Sequence, residues 1–174
     1  MLHTDFYPFP TITTSRLLLR ELLSADDTAI RDLRSNPDVN TFLGRPPAID
    51  LETARQFITS TNNRFANAEG LYWVITALPS PQLIGTICLW NYQPQDDSVE
   101  IGYELLPAFQ GKGYMQEAIT AVLTFAFDRM HAALVKAMVV EANLRSIKSL
   151  QKQGFIEIPA EKEDQLLMFH LTRK

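Results

Sequence analysis

Residues 98–140 constrain the fold more than any other stretch. Residues 98–106 alternate cleanly: Val99, Ile101, Tyr103 and Leu105 face one way, and Glu100, Gly102 and Glu104 the other. Pro107 closes that strand. A glycine-bearing turn, Gln110-Gly-Lys-Gly113, then opens a helix over 113–129, whose Met115, Ala118, Ile119, Val122 and Ala126 make it greasy enough for deep burial. Residues 133–140 follow as a strand. Strand, helix and strand in that order form a crossover, which brings two strands side by side in parallel.

The remaining chain supplies further layers. Residues 1–14, with Pro8 and Pro10 and several threonines, read as an irregular lead-in, and 16–22 as a first strand. Ser24 begins a helix, with Asp27 three residues on in the manner of a capping box; Asn36-Pro37 stops it. Pro46-Pro47 marks a break, and Asp50 caps a second helix carrying Leu51, Ala54, Phe57, Ile58 and Phe65. Residues 71–77 and 83–92, joined by Pro79-Ser-Pro81, form a hairpin. A short helix over 143–153 ends at Gly154, and 155–158 and 166–172 close the chain as strands. The order is β-α-α-β-β-β-α-β-α-β-β. It predicts an α/β (α+β) fold with a mixed sheet of about seven strands flanked by helices. The 174 residues suit a single domain, 1–174.

Charge and cysteine count exclude several classes. Sixteen basic against twenty acidic residues leave a net charge of −4, which argues against a dedicated nucleic-acid binder. A lone cysteine, Cys88, rules out an intramolecular disulfide and a Cys-rich zinc site, and the three histidines have no metal-ligand spacing, so no metal is expected. No run of 18 apolar residues is present and the N-terminal stretch lacks signal-peptide character. No membrane association is expected, and the cytoplasm is the default location.

The glycine turn is the candidate binding element. Glycines leave backbone N–H groups accessible, and the helix start adds positive potential, so the turn can cradle a phosphate. A Walker loop fails because Lys112 precedes Gly113 rather than Ser or Thr. A dinucleotide loop fails because residue 116 is Gln and no acidic ribose partner stands near Val135 and Lys136. A coenzyme A pyrophosphate loop is the third reading, and Gln110 and Gly113 match it. At this point the chain resembles the Gcn5-related N-acetyltransferase superfamily. More narrowly, it is similar to the branch that acetylates ribosomal-protein N-termini. Thr14-Ser-Arg-Leu-Leu-Leu-Arg20 resembles that branch's first strand, Gln110-Gly-Lys-Gly-Tyr-Met115 its acetyl-CoA loop, and Asn143-Leu-Arg-Ser146 with Gly154-Phe155 its late signature. Met115 departs from the superfamily's usual Gly or Ala.

The resemblance implies a mostly antiparallel sheet with a parallel, splayed strand pair at the cofactor site. It implies acetyl-CoA as co-substrate, held by Leu105, Leu106, Gln110, Gly111, Lys112, Gly113, Tyr114, Met115, Asn143 and Arg145. Acyl transfer to an amine wants a group to take the amine's proton and an acid for the leaving thiolate. Glu100 is the candidate base, working through water, and Glu104 the second candidate. Both also suit ordinary strand carboxylates. Ser146 is the candidate acid, or else a helix first-turn serine bonded to backbone. Asn143 is equally the N-cap of its helix. Cys88, Trp73 and Trp90 read as core. The acceptor side is expected between residues 36 and 50 and at the hairpin near 159–165. There Asp38, Asp50 and the run 161–164 could draw a cationic amine. The partner is an amine-bearing small molecule or a protein N-terminus, and the chain acts as a monomer or homodimer. The competing class is an inactive acetyl-CoA-binding sensor or scaffold.

Overall fold

The computed structural model describes residues 1–46, 49–159 and 164–173. An eight-stranded sheet runs in the order β1-β2-β3-β4-β5-β6-β8-β7. Its strands are β1 (Ile12–Thr13), β2 (Leu17–Glu21), β3 (Leu71–Ala77), β4 (Leu83–Gln93), β5 (Ser98–Leu105), β6 (Leu134–Val140), β7 (Ile156–Glu157) and β8 (Leu166–Thr172). The helices are α1 (Asp27–Ser35), α2 (Pro37–Asn40), α3 (Leu51–Ala66), α4 (Tyr114–Asp128) and α5 (Leu144–Lys152). Neighbouring strands are antiparallel except β5 and β6, which the α4 crossover makes parallel.

Strand alternation sorts the core into two layers. One sheet face carries Leu17, Leu19, Trp73, Ile75, Ile87, Ile101, Val135 and Phe169, and packs with the apolar side of α4 and with Leu150 of α5. The opposite face carries Val74 and Leu83, which α1 and α3 cover with Ile30, Leu33, Ala54 and Ile58. Those helices stop short of the far strands. On that face Trp90 is 40% exposed, and Met138 and Ile156 are exposed as well.

Several boundaries shift for local reasons. The lead-in contains the eighth strand, β1, which pairs with β2. Asn36-Pro37 ends α1 but also starts α2: the Asn36 side chain accepts from the amides of Asp38 and Val39, with Pro37 at the first helical position. Before α1, a 3-10 turn runs over Ser24–Asp26. Asp26, rather than Asp27, closes that turn, accepting from the Leu23 amide and holding Arg20 through both oxygens. Asp27 instead bonds Arg55.

Candidate active site

The Gln110–Met115 turn sits at the end of β5. Gly111 and Gly113 have φ of +75° and +80°, a left-handed conformation that side chains resist. Gln110 folds back so that its Nε2 donates to the Leu105 carbonyl at 2.8 Å. The first hydrogen bond of α4 runs from the Glu117 amide to the Gly113 carbonyl. Among the described residues, nothing accepts from the amides of 111–116, so six donors remain open at a helix N-terminus. This is the arrangement an anionic pyrophosphate requires.

The connection between β1 and β2, residues 14–16, holds this turn in place. Glu117, in the first turn of α4, accepts from Thr14 Oγ1 at 2.6 Å, Ser15 Oγ at 3.2 Å, the Arg16 amide at 3.0 Å and Arg16 Nε at 2.7 Å. Arg16 Nη1 donates to the Lys112 carbonyl, and its guanidinium lies 4.8 Å from the Tyr114 ring centroid. Burial alone would raise the Glu117 carboxyl. The Thr14 and Arg16 hydrogen bonds outweigh it and hold the group at about 2. Thr14–Arg16 belong to a segment that carries the family resemblance, whereas Glu117 lies outside the three motifs and acts through contacts with residues far away in sequence.

The β5–β6 pairing lasts for three residue pairs, ending at Glu100↔Lys136. Beyond it, β5 continues to Leu105 beside β4, and β6 continues to Val140 beside β8. The two parallel strands therefore splay, leaving backbone polar groups open toward the gap. Tyr103 and Ser146 reach across it: Tyr103 Oη and Ser146 Oγ are 2.7 Å apart. The Ser146 hydroxyl thus meets a side chain, while its amide donates to the capping Asn143 side chain. Burial pushes the Tyr103 phenol up to about 12, partly offset by Ser146, so it stays protonated at neutral pH. Tyr103 follows the apolar register of β5, and alternation alone gives no sign of this hydroxyl pair.

The carboxylates lie on the opposite face of β5. Glu100 is 7% exposed, between Trp90 on β4 and Lys136 on β6. Burial raises its carboxyl, while an Asn91 hydrogen bond and the Lys136 charge pull it down. Asn91 reaches Glu100 Oε2 at 3.2 Å from an irregularity in β4, where its φ is +50°. Glu104 is engaged instead by both η nitrogens of Arg45, at 2.6 and 2.8 Å, with the two side chains 13% and 14% exposed.

The other sequence candidates divide. Lys112 and Arg145 are exposed beside the turn and at the start of α5. Leu105 is buried and Leu106 packs against the α1–α3 layer. Asp50 caps α3 by accepting from the Thr53 amide, and Asp38 is exposed in α2. Residues 161–163 lie outside the described residues, as does Pro47. Trp73 is core, with Nε1 donating to the Pro10 carbonyl. Trp90 is not core: its pairing with Glu100 puts it on the face that α1 and α3 leave uncovered. Cys88 keeps some accessible surface, but burial, then Glu104, push its thiol up to about 12, which rules out a standing thiolate. Among the described residues no group of His, Cys, Asp and Glu could hold a metal, and no helix is long and apolar enough to cross a membrane.

The acetyltransferase (GNAT) domain family matches residues 16–156. The chain belongs to the GNAT acetyltransferases. A relative from Bacillus subtilis (strain 168), the uncharacterized N-acetyltransferase YoaA, is 30% identical over 147 residues, 84% of this chain and 83% of its own. The uncharacterized N-acetyltransferase p20 of Bacillus licheniformis is 28% identical over 173 residues, covering 94% and 97%. Among solved structures, RimL, a ribosomal L7/L12 alpha-N-protein acetyltransferase in complex with coenzyme A, superposes with a TM-score of 0.83 at 18% identity, covering 94% and 98%. At that identity the likeness carries the GNAT fold, so the superfamily stands and no branch within it is singled out. Membership brings acetyl-CoA-dependent transfer to an amine as the activity of the family.

Proposed function

We propose that this chain, as one acetyltransferase domain, moves the acetyl group of acetyl-CoA to a primary amine of a small molecule or protein N-terminus. The reaction is direct attack in a ternary complex. The observation that carries the reading is the splay of β5 from β6, with open amides at one end, a hydroxyl pair on one side and a buried carboxylate on the other. Acetyl-CoA, when bound, supplies an activated thioester. The amides of 111–116 take its pyrophosphate, and the open edge of β5 near Leu105 and Leu106 takes the arm that follows. Lys112, Tyr114, Met115, Asn143 and Arg145 border that path.

Glu100 accepts, through water, the proton that an ammonium acceptor must shed before its nitrogen can attack. Ser146 gives its proton to the leaving sulfur as the carbon–sulfur bond breaks, Tyr103, bonded to Ser146, passes one on to the serine, and water in the gap returns a proton to the phenol. The Arg45 pair leaves Glu104 poorly placed for the base role, which favours Glu100. The narrower reading, an acceptor at a ribosomal-protein N-terminus, rests on the three motifs at 14–20, 110–115 and 143–155.

Incubation with acetyl-CoA and a panel of amines and N-terminal peptides, followed by thiol release and by mass of the acceptor, tests the reading. Thiol release with one acetyl group gained by an amine supports it. Tight acetyl-CoA binding with no transfer to any amine would instead support a sensor.

A further inference from the structure

Arg34, in the last turn of α1, is a half-buried arginine with no acid to hold it. Its guanidinium carbon lies 4.0 Å from the Phe57 ring centroid, and the side chain makes no hydrogen bond or ion pair with a described residue. The other half-buried arginines are all paired: Arg20 with Asp26, Arg31 with Asp32, and Arg45 with Glu104. A cation partly withdrawn from water with no carboxylate bonded to it is costly; the Phe57 ring offsets part of that cost, and an anion from elsewhere would offset the rest. Burial and the Arg45 charge both disfavour the charge on Arg34, and Glu104 only partly offsets them.

The surroundings place that charge on the acceptor face. Phe57 meets Tyr72 edge-on, with ring centroids 5.5 Å apart. The Tyr72 hydroxyl is buried and, although it faces Thr86, lacks the geometry for a hydrogen bond. Burial and Glu104 raise the phenol, so it is a donor awaiting an acceptor. Tyr72, Glu104 and Glu100 occupy one sheet face by register. Beside Arg34, Glu104 is already spent on Arg45, and Arg45 Nε on Asn40. Two guanidinium groups against one carboxylate leave one positive charge over.

We propose that Arg34 binds an anionic oxygen group, carboxylate or phosphate, carried by the amine acceptor itself. The inference rests on the acetyl-transfer reading and sharpens its substrate class. The acceptor presents its ammonium toward Glu100 and its anion toward Arg34. Glu100 and Glu104 are four residues apart on a strand, roughly 13 Å at about 3.3 Å per residue. The water at Glu100 and the Arg34 side chain take up part of that span, so the anion sits several bonds from the amine, as in an amino-sugar phosphate or an N-terminal peptide with an early acidic residue. A polyamine, all cation, is a poor fit.

The test uses matched acceptors at saturating acetyl-CoA: glucosamine 6-phosphate against glucosamine, a peptide with glutamate second against the same peptide with glutamine, and spermidine. The acidic member of at least one pair should show a KM about tenfold or more below its neutral mate, as a charge-assisted hydrogen bond allows. The pair that responds identifies the source of the anion. Arg34→Met, which keeps an apolar stem over Phe57, should erase the difference, and Arg34→Lys should keep most of it. Equal KM values within both pairs in the wild type, a preference for spermidine, or a preference that survives Arg34→Met would overturn the proposal. If no amine releases thiol, the acetyl-transfer reading fails, and calorimetry with the two acidic compounds and the protein–coenzyme A complex decides the anion site alone. Binding weakened by Arg34→Met retains the site, and absence of binding removes it.

Discussion

Burial raises the Glu100 carboxyl from its ordinary value, with Asn91 and Lys136 acting against it. For an acid raised on folding, ionisation costs stability, so the penalty appears as pH rises through the folded value. Glu100→Gln removes the charge and keeps the shape. Thermal melts should find it at least as stable as wild type at neutral pH, the advantage vanishing in acid. Its turnover should fall at neutral pH. The loss should shrink as pH approaches the acceptor's own value, about 8 for an α-amine and about 10 for a lysine-like amine, because the amine then sheds its proton unaided. A pH–rate profile with one saturating acceptor checks this, and parallel profiles of equal height would move the base role away from Glu100. The Ser146–Tyr103 pair gives a second expectation. Ser146→Ala should lower kcat far more than it weakens acetyl-CoA binding, because charge on the sulfur develops only during the reaction. Tyr103→Phe should fall in the same direction by less. Equal kcat for wild type and Ser146→Ala would leave the serine a packing residue. The shared strand face of Glu100 and Glu104 and the place of Ser146 at the start of a helix were legible from alternation and motif. Tyr103, Asn91 and Arg45 were not, since each acts through a contact between segments distant in sequence or through an irregular backbone.

At the scale of elements, the cofactor turn depends on two backbone conformations and one ion pair. Gly113→Pro imposes a negative φ where the chain needs +80°, and should abolish acetyl-CoA binding measured by calorimetry in a folded sample. Gly113→Ala should cost about 1–2 kcal/mol for a left-handed side-chain-bearing residue, and its Cβ would also press on Arg16 Nη2 at 3.3 Å. Glu117 ties the β1–β2 connection to α4. Its carboxyl stands at about 2 against an ordinary 4.5, so it contributes stability above 4.5 that is lost as pH falls toward about 2. Glu117→Gln should therefore melt below wild type at neutral pH, with the gap narrowing under about pH 4.5, and should bind acetyl-CoA more weakly because the Arg16–Lys112 strut loosens. A gap independent of pH would mean that the carboxylate charge is not what Arg16 and Thr14 respond to. The strands and helices from 71 to 172 were readable because alternation, glycine turns and caps agree there. The segment from 12 to 40 was read less well. A two-residue strand has too little pattern, and Asn36-Pro37, a stop signal for one helix, is also a start signal for the next.

For the whole molecule, the sheet separates two chemistries. In the proposed reaction Tyr103, Ser146 and the open amides serve one side and Glu100 and Arg34 the other, with the splay between β5 and β6 joining them. On the proposed reading, the acceptor nitrogen and the thioester carbon meet in that gap, and transfer is direct. Cys88, the lone thiol, is held protonated by burial and is a poor candidate for a covalent relay. The most direct test is initial-velocity kinetics with acetyl-CoA and one accepted amine varied together, read by thiol release. The account predicts reciprocal plots that intersect, because both substrates are present when the carbon–nitrogen bond forms. Parallel plots, with acetylated enzyme recovered in the absence of amine, would contradict it.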